Sequence, residues 1–359
     1  MTREVVHTTA GSAVFLLAGS GTLGWDQVGA NLVEPGDRVL VVQTGYFGEG
    51  FRECLETYGA RTTTLAAPLG GTVSPAELEA GLLSARRKGD GRAYKLVTIT
   101  HVDTSTGVRA DARALAEVVR RVSPGTLVVL DAVCSLASEE LRMDDWGVDV
   151  VLSASQKGLG APPGLSVLLA GERALAVWEG RKARGVKSGG FYSSWEKWLP
   201  VMRAYDTNTP AYFGTPAVSL VRAYHASLAE ITRGSISLPA RLALHATASK
   251  RVSAAAARLG LHPLCTDPRA QAYGMTALWV PESLGPTGAG ALLAAMSRKG
   301  VVLAGGLVAA VKGRYVRIGH MGWSVVGEGG KDVDLVIKAL GEAVGEVREA
   351  VEGKGLARL

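Results

Sequence analysis

Between residues 14 and 170, short apolar runs alternate with amphipathic segments, and that alternation leaves few folds open. Strands are read at residues 14–18, 39–43, 62–65, 95–100, 127–130, 149–152 and 165–170. Helical patterns fill the gaps at 47–58, 74–88 and 111–122. In the first of these, Phe51, Cys54, Leu55 and Tyr58 share one helical face. The second opens on Ser74-Pro75, a cap followed by proline at the first helical position, with Glu77 one turn in. The strands are nearly continuous runs of Val, Leu and Ile, which marks burial on both faces. An α/β fold follows, with a mostly parallel sheet sandwiched by helices.

The rest of the chain reads differently. Residues 181–216 are rich in Gly, Ser, Trp and Tyr and are expected as loop and crossover. Helical tracts follow at 217–233 and 239–259. The last hundred residues mix strand (275–280, 315–318) with helix (288–299, 332–351), which indicates a smaller C-terminal α+β domain. We place the large domain at 1–235 and the small one at 236–359. With 359 residues, 47% of them hydrophobic, there is ample material for such a core.

Composition excludes several function classes. The net charge of +6 comes with only 6% aromatics, and no basic helix with interleaved aromatics occurs. We expect attraction for anionic small molecules and no nucleic-acid partner. Cys54, Cys134 and Cys265 are odd in number and widely spaced, as in a reducing compartment without a disulfide framework. The six histidines lack ligand spacing, so no metal is expected. No apolar run reaches about 18 residues, so no membrane span is expected. The N-terminus has no signal-peptide pattern. The last three residues, Ala357-Arg358-Leu359, resemble the peroxisomal address Ser-Lys-Leu, so the expected compartment is peroxisomal or cytoplasmic.

Two strand ends carry chemistry. The stretch Ser153-Ala-Ser-Gln-Lys157-Gly-Leu-Gly-Ala-Pro-Pro-Gly164 puts a lysine just after a core strand. Lysine usually stays on a solvated surface because burying its charge is costly. At a strand end it can form a Schiff base with a carbonyl cofactor. Upstream, Leu127-Val-Val-Leu-Asp131 ends another strand in a carboxylate. At the front, Gly19-Ser-Gly21-Thr-Leu-Gly24 follows a strand and opens a helix, formally the dinucleotide fingerprint. That fingerprint also needs an acid closing the second strand, and Arg38-Val-Leu-Val-Val-Gln43-Thr44 offers none. What remains is a phosphate cradle at a helix N-terminus.

With these pieces on the page, the chain resembles the class V, fold-type I pyridoxal-phosphate aminotransferases, most of all the alanine–glyoxylate and serine–glyoxylate (serine–pyruvate) branch. The carrying motifs are Ala18-Gly-Ser-Gly-Thr22, Glu34-Pro-Gly-Asp37, His101-Val-Asp-Thr-Ser-Thr-Gly-Val108, Asp131-Ala-Val-Cys-Ser-Leu136, Ser153-Ala-Ser-Gln-Lys157 with Ala161-Pro-Pro-Gly164, Tyr212-Phe-Gly-Thr215-Pro and Arg317-Ile-Gly-His-Met-Gly322. They stand in family order along the chain.

The resemblance implies a role for each matched position. Lys157 would hold the aldehyde of pyridoxal 5'-phosphate and act as general acid–base. Asp131 would pair with the pyridinium nitrogen. Ser20, Gly21 and Thr22 would cradle the phosphate, with Gln156 near it. Phe47 would stack on the ring, and Thr104 would contact its side. Tyr212 and Thr215 would reach the phosphate of a neighbouring subunit, which implies a homodimer with shared sites. Arg317 would bind the substrate carboxylate, a task suited to a bidentate guanidinium. The implied reaction is ping-pong transamination between a small amino acid, alanine or serine, and glyoxylate or another 2-oxo acid.

Two features are set aside: Cys134 as a small buried residue, and the run Arg181-Lys-Ala-Arg-Gly-Val-Lys187 as a solvated helix end. The family's usual leading segment, with its Pro-Gly-Pro stretch, has no counterpart ahead of Gly19, so a large domain without that arm is expected. Other readings stay open: a lyase of the same class, an inactive or weakly active pyridoxal-phosphate binder, and, more distantly, a dinucleotide-dependent dehydrogenase.

Overall fold

The structure, a computed structural model, describes residues 1–9, 11–88 and 93–356. The tripeptide Ala357-Arg358-Leu359 lies outside the described residues. The strands are β1 (Ala13–Ala18), β2 (Arg38–Gln43), β3 (Arg61–Ala66), β4 (Leu96–Thr100), β5 (Val102–Asp103), β6 (Val108–Arg109), β7 (Leu127–Asp131), β8 (Val150–Ala154), β9 (Leu165–Ala170), β10 (His262–Pro263), β11 (Met275–Trp279), β12 (Ala304–Gly305) and β13 (Tyr315–Gly319). The helices are α1 (Thr2–Val5), α2 (Thr22–Leu32), α3 (Tyr46–Thr57), α4 (Pro75–Lys88), α5 (Ala112–Val122), α6 (Glu172–Ala183), α7 (Trp195–Asp206), α8 (Val218–Arg233), α9 (Leu238–Arg258), α10 (Gly288–Arg298), α11 (Trp323–Val326) and α12 (Lys331–Leu356).

Seven strands form one sheet in the order β1-β9-β8-β7-β4-β2-β3. The run from β3 to β8 is parallel, whereas β9 pairs antiparallel with both β8 and β1. Alternate residues feed two cores. Leu40, Val97, Ile99, Val128, Leu130 and Val151 face one core with Leu78, Leu115 and Leu228. Val39, Val41, Leu96, Val129, Val150 and Leu152 face the other with Val28, Phe51 and Trp178. Each such side chain contributes about 1.5–3 kcal/mol on burial. The expected sandwich is therefore present, and its parallel strands end at one edge, where α/β folds place ligands.

A second sheet, β10-β11-β13-β12, is antiparallel throughout. Leu278, Val316 and Ile318 pack there against Val252, Leu292 and Leu340 of α9, α10 and α12. This is the expected smaller α+β unit.

Two expectations need correction. The stretch 181–216 is not all loop, because it contains α7. Trp195, Trp198 and Leu199 are buried on one face of that helix, and Trp195 stacks on Phe15 of β1 at 5.1 Å. Pro200 lies inside α7 and costs it a hydrogen bond, about 3 kcal/mol. Burial of the two indoles outweighs that cost, since losing one such ring costs about 3–5 kcal/mol. The run 181–187 is not wholly solvated either. Arg181 is buried and donates to the carbonyl oxygens of Ala30 (2.9 Å) and Lys187 (3.0 Å), tying α6 to the end of α2.

Candidate active site

The site forms at the C-terminal ends of β1, β2, β4, β7 and β8. After β1, the backbone N–H of Gly19 donates to Gly164 O at 2.9 Å, and α2 begins three residues later. The hydroxyls of Ser20 and Thr22 are solvent-exposed and 2.5 Å apart at that helix N-terminus. The first turn of α2 holds no acidic residue, so its positive end is available to an anion. Gly21 is required by space: a Cβ there would stand 2.7 Å from Val133 Cγ2 and 3.4 Å from Ala154 Cβ. The missing side chain lets the phosphate loop lie against the ends of β7 and β8.

Asp131 closes β7 and is almost fully buried. Its Oδ1 accepts from Val133 N–H at 2.9 Å, and its Oδ2 accepts from the Trp25 indole N–H at 2.8 Å. Burial pushes its pKa up to about 6, against the pull of these two donors, and Asp103 adds to the rise.

Lys157 sits two residues beyond Ser155, in a loop stapled at its base. Ser155 N–H donates to Leu165 O (3.1 Å), and Ser155 Oγ donates to Pro162 O (2.6 Å). The loop presses so closely on the segment after β7 that a Cβ on Gly158 would stand 2.3 Å from Leu136 O. From above, Arg241 of α9 donates to Gly158 O at 3.2 Å, and Ser227 of α8 donates to Leu159 O. Lys157 itself is half-buried, not a core amine. Among the described residues it has no hydrogen-bond or ion-pair partner, and its charge reaches the buried thiol of Cys134. Cys134, whose thiol burial pushes up to about 11, is a packed residue as expected.

Phe47 stands in the first turn of α3, half-buried, with its ring 6.4 Å from that of Trp25. Sequence reasoning missed what holds it there. Asp103, on the short β5–β6 hairpin, is buried and accepts from Phe47 N–H (3.1 Å) and Gly48 N–H (3.2 Å) through Oδ2. Its Oδ1 accepts from Ser105 N–H (2.9 Å) and Ser105 Oγ (2.5 Å), while Ser105 Oγ takes Tyr46 N–H at 2.9 Å. Gly45 is the hinge of this clamp, since a Cβ there would stand 2.4 Å from Ser105 Oγ. Thr104, beside Asp103, is buried, and its hydroxyl tempers the upward push of burial on the Cys134 thiol.

Arg317 of β13 reaches across from the second sheet. Its Nε donates to Gly305 O (2.8 Å) and its Nη1 to Thr104 O (3.1 Å). Among the described residues Nη2 is left without a partner. The same sheet braces the lysine loop. His245 Nδ1 lies 2.7 Å from Arg241 O and therefore donates to it, so Nε2 accepts from Gly322 N–H at 3.0 Å. A Cβ on Gly322 would lie 3.2 Å from Gly160 Cα.

The structure thus brings Ser20, Gly21, Thr22, Phe47, Thr104, Asp131, Lys157 and Arg317 to one region. Gln156 is there too, as an exposed side chain. Tyr212 and Thr215 are also exposed, with their hydroxyls 3.3 Å apart, and neither bonds to the phosphate loop. Trp25, Asp103 and Ser105 carried no signal beyond a core aromatic and two polar residues in a quoted motif. A cavity of 550 Å³ between α10 and α12 lies away from this region and is lined mostly by apolar residues such as Leu284 and Val347.

A family model for class V aminotransferases matches residues 2–259. The chain belongs to the class V aminotransferases. It is 38% identical over 328 residues to alanine–glyoxylate aminotransferase 1 of Saccharomyces cerevisiae, covering 89% of this chain and 81% of that one. It is 30% identical over 321 residues to the L-aspartate–glyoxylate aminotransferase of Paracoccus denitrificans, covering 89% and 76%. Among solved structures, the alanine–glyoxylate aminotransferase of a Nostoc species superposes with a TM-score of 0.84 at 27% identity, covering 95% of this chain and 84% of the other.

Class V aminotransferases depend on pyridoxal phosphate, and the residues present suit that cofactor. The hydroxyls at a helix N-terminus suit its phosphate. The glycine at position 21 leaves the space a Cβ would fill. The buried carboxylate of Asp131 suits a ring cation, and among the described residues the amine of Lys157 has no competing partner.

Proposed function

We propose that this class V aminotransferase moves an amino group from alanine or serine to glyoxylate or another 2-oxo acid, giving pyruvate or hydroxypyruvate and glycine. What supports the reading is Lys157 on the loop after β8, its charge reaching Cys134 just beyond β7, together with the Ser20–Thr22 loop packed at Gly21 against Val133 and Ala154. The likeness to glyoxylate aminotransferases supports the choice of acceptor.

Ser20 Oγ, Thr22 Oγ and the first N–H groups of α2 would hold the cofactor phosphate. The Asp131 carboxylate would accept from the ring nitrogen, with Phe47 and Thr104 as the residues to flank the ring. Pyridoxal phosphate, when bound, supplies an electron sink for the bond broken at the substrate Cα. Arg317 is held by Gly305 and Thr104 and offers Nη2 to the substrate carboxylate. Lys157 Nζ would serve as the base that takes up the substrate Cα proton and the acid that gives it back.

We assign Tyr212 and Thr215 to a partner's phosphate in a homodimer. The exposure of Tyr212, at 75%, and of Phe191, at 74%, supports a covered surface in the assembly. The terminal Ala357-Arg358-Leu359 supports peroxisomal delivery. A reporter ending in those residues that stays in the cytosol would leave the cytoplasm as the compartment.

A panel of amino donors and 2-oxo acids on the purified protein tests the reaction. We expect near-visible cofactor absorbance that alanine or serine bleaches in the half-reaction and glyoxylate restores. Replacing Lys157 with Ala should abolish that band and lower turnover about 10³-fold or more. A wild-type protein without the band would sink the reading. A band that no donor bleaches would leave a binder.

A further inference from the structure

Trp25 lies one turn into α2, directly after the phosphate loop, and is 7% exposed. A large apolar residue there needs no function beyond packing, yet the indole is aimed. Its N–H reaches Asp131 Oδ2 at 2.8 Å. Three features fix the ring in that pose. It stacks on Phe51 at 5.3 Å and 11°, and the Phe47 ring meets it edge-on at 6.4 Å. Gly50 clears its far edge, since a Cβ there would stand 3.1 Å from Trp25 Cζ3. Gly24, against Leu152 of β8, brings α2 close enough for the contact, because a Cβ there would stand 3.0 Å from Leu152 Cβ.

The Asp131 carboxylate is therefore held at both oxygens, by Val133 N–H and by the indole. A carboxylate oxygen accepts more than one hydrogen bond, so Oδ2 keeps a lone pair beside the indole. We propose that Trp25 is the positioning residue of this site: its indole N–H orients the Asp131 carboxylate and favours its anion, the form that accepts from a protonated ring nitrogen. The proposal rests on Asp131 being the cofactor's ring partner. The charged group whose field reaches Asp131 is Asp103 on β5, while Lys157 on the loop after β8 and Asp103 both act on Cys134, three residues along from Asp131. Asp103 opposes the anion, so the indole donor acts where the carboxylate needs help.

The test compares wild type with Trp25→Phe, which keeps an aromatic ring against Phe51 and removes the donor along with part of the ring volume. The carboxyl carbon of Asp131 is followed by NMR through a pH titration of the cofactor-free protein, and pyridoxal phosphate affinity is measured at pH 7.5. We expect the Asp131 midpoint to rise by about one pH unit and affinity to fall about tenfold; the smaller ring also lowers the melting temperature of the cofactor-free protein, alike in both backgrounds. In an Asp131→Asn background, Trp25→Phe should cost no further affinity, because the indole would have no anion to hold. An unmoved midpoint overturns the proposal, as does an equal loss of affinity in both backgrounds, which would mark Trp25 as packing alone. If Trp25→Phe does not fold, the wild type still decides. The Trp25 indole proton resonance should shift with the Asp131 titration and stay flat in Asp131→Asn, and a flat wild-type signal overturns the assignment. Wild type that binds no pyridoxal phosphate would refute the function while leaving the indole–carboxylate titration readable.

Discussion

A single carboxylate sets the acid limit of this site. Asp131 is raised to about 6, first by burial, so it protonates as the pH falls through that value. A neutral carboxyl cannot pair with a ring cation. Cofactor affinity should therefore drop below about pH 6, and a binding titration from pH 8 to pH 5 should show the limb in wild type but not in Asp131→Asn. The stability of the cofactor-free chain moves with the opposite sign. A carboxyl whose folded pKa is raised from 3.8 contributes stability that is complete below pH 3.8 and lost as pH rises through about 6. Relative to Asp131→Asn, wild type should lose about 1 kcal/mol between pH 5 and 7, measured by urea unfolding. Asp131 and Lys157 were legible because each is a polar residue ending an apolar run, and a strand end is where sequence order and spatial position agree. Trp25 was not legible. Its partner is 106 positions away, and nothing in a chain read residue by residue says which way an indole points.

At the scale of elements, the sheet was readable to within a residue or two, because burial on both faces writes itself into continuous apolar runs. The α7 helix was not, because Pro200 and its glycine-rich surroundings read locally as loop while two tryptophans are paid back only by tertiary contact. The clamp on α3 shows the same limit. The helix begins without a side-chain cap of its own, and Asp103 supplies one from another strand. Asp103→Ala would leave the N–H groups of Phe47 and Gly48 without their acceptor. We expect a loss of about 2–4 kcal/mol in urea unfolding, together with weaker pyridoxal phosphate binding, because the turn carrying Phe47 loosens. Asp103→Asn, which keeps one acceptor oxygen, should fall between the two.

At the scale of the whole molecule, exposed Phe191 and Tyr212 argue for a second copy, and sedimentation should give a mass about twice the 37.3 kDa of one chain. Diluting the protein to the monomer should then release cofactor if Tyr212 and Thr215 serve the partner's phosphate, and Tyr212→Ala should release it at higher protein concentration. One further consequence follows from the edge of the large sheet. The phosphate loop hangs from β1, whose one strand neighbour among the described residues is β9, with Ala13 opposite Ala170. In the sheet, β1 has nothing to pair with until residues 165–170 have been made. The cradle thus waits on a long-range pairing, and cofactor capture reports that this pairing has closed.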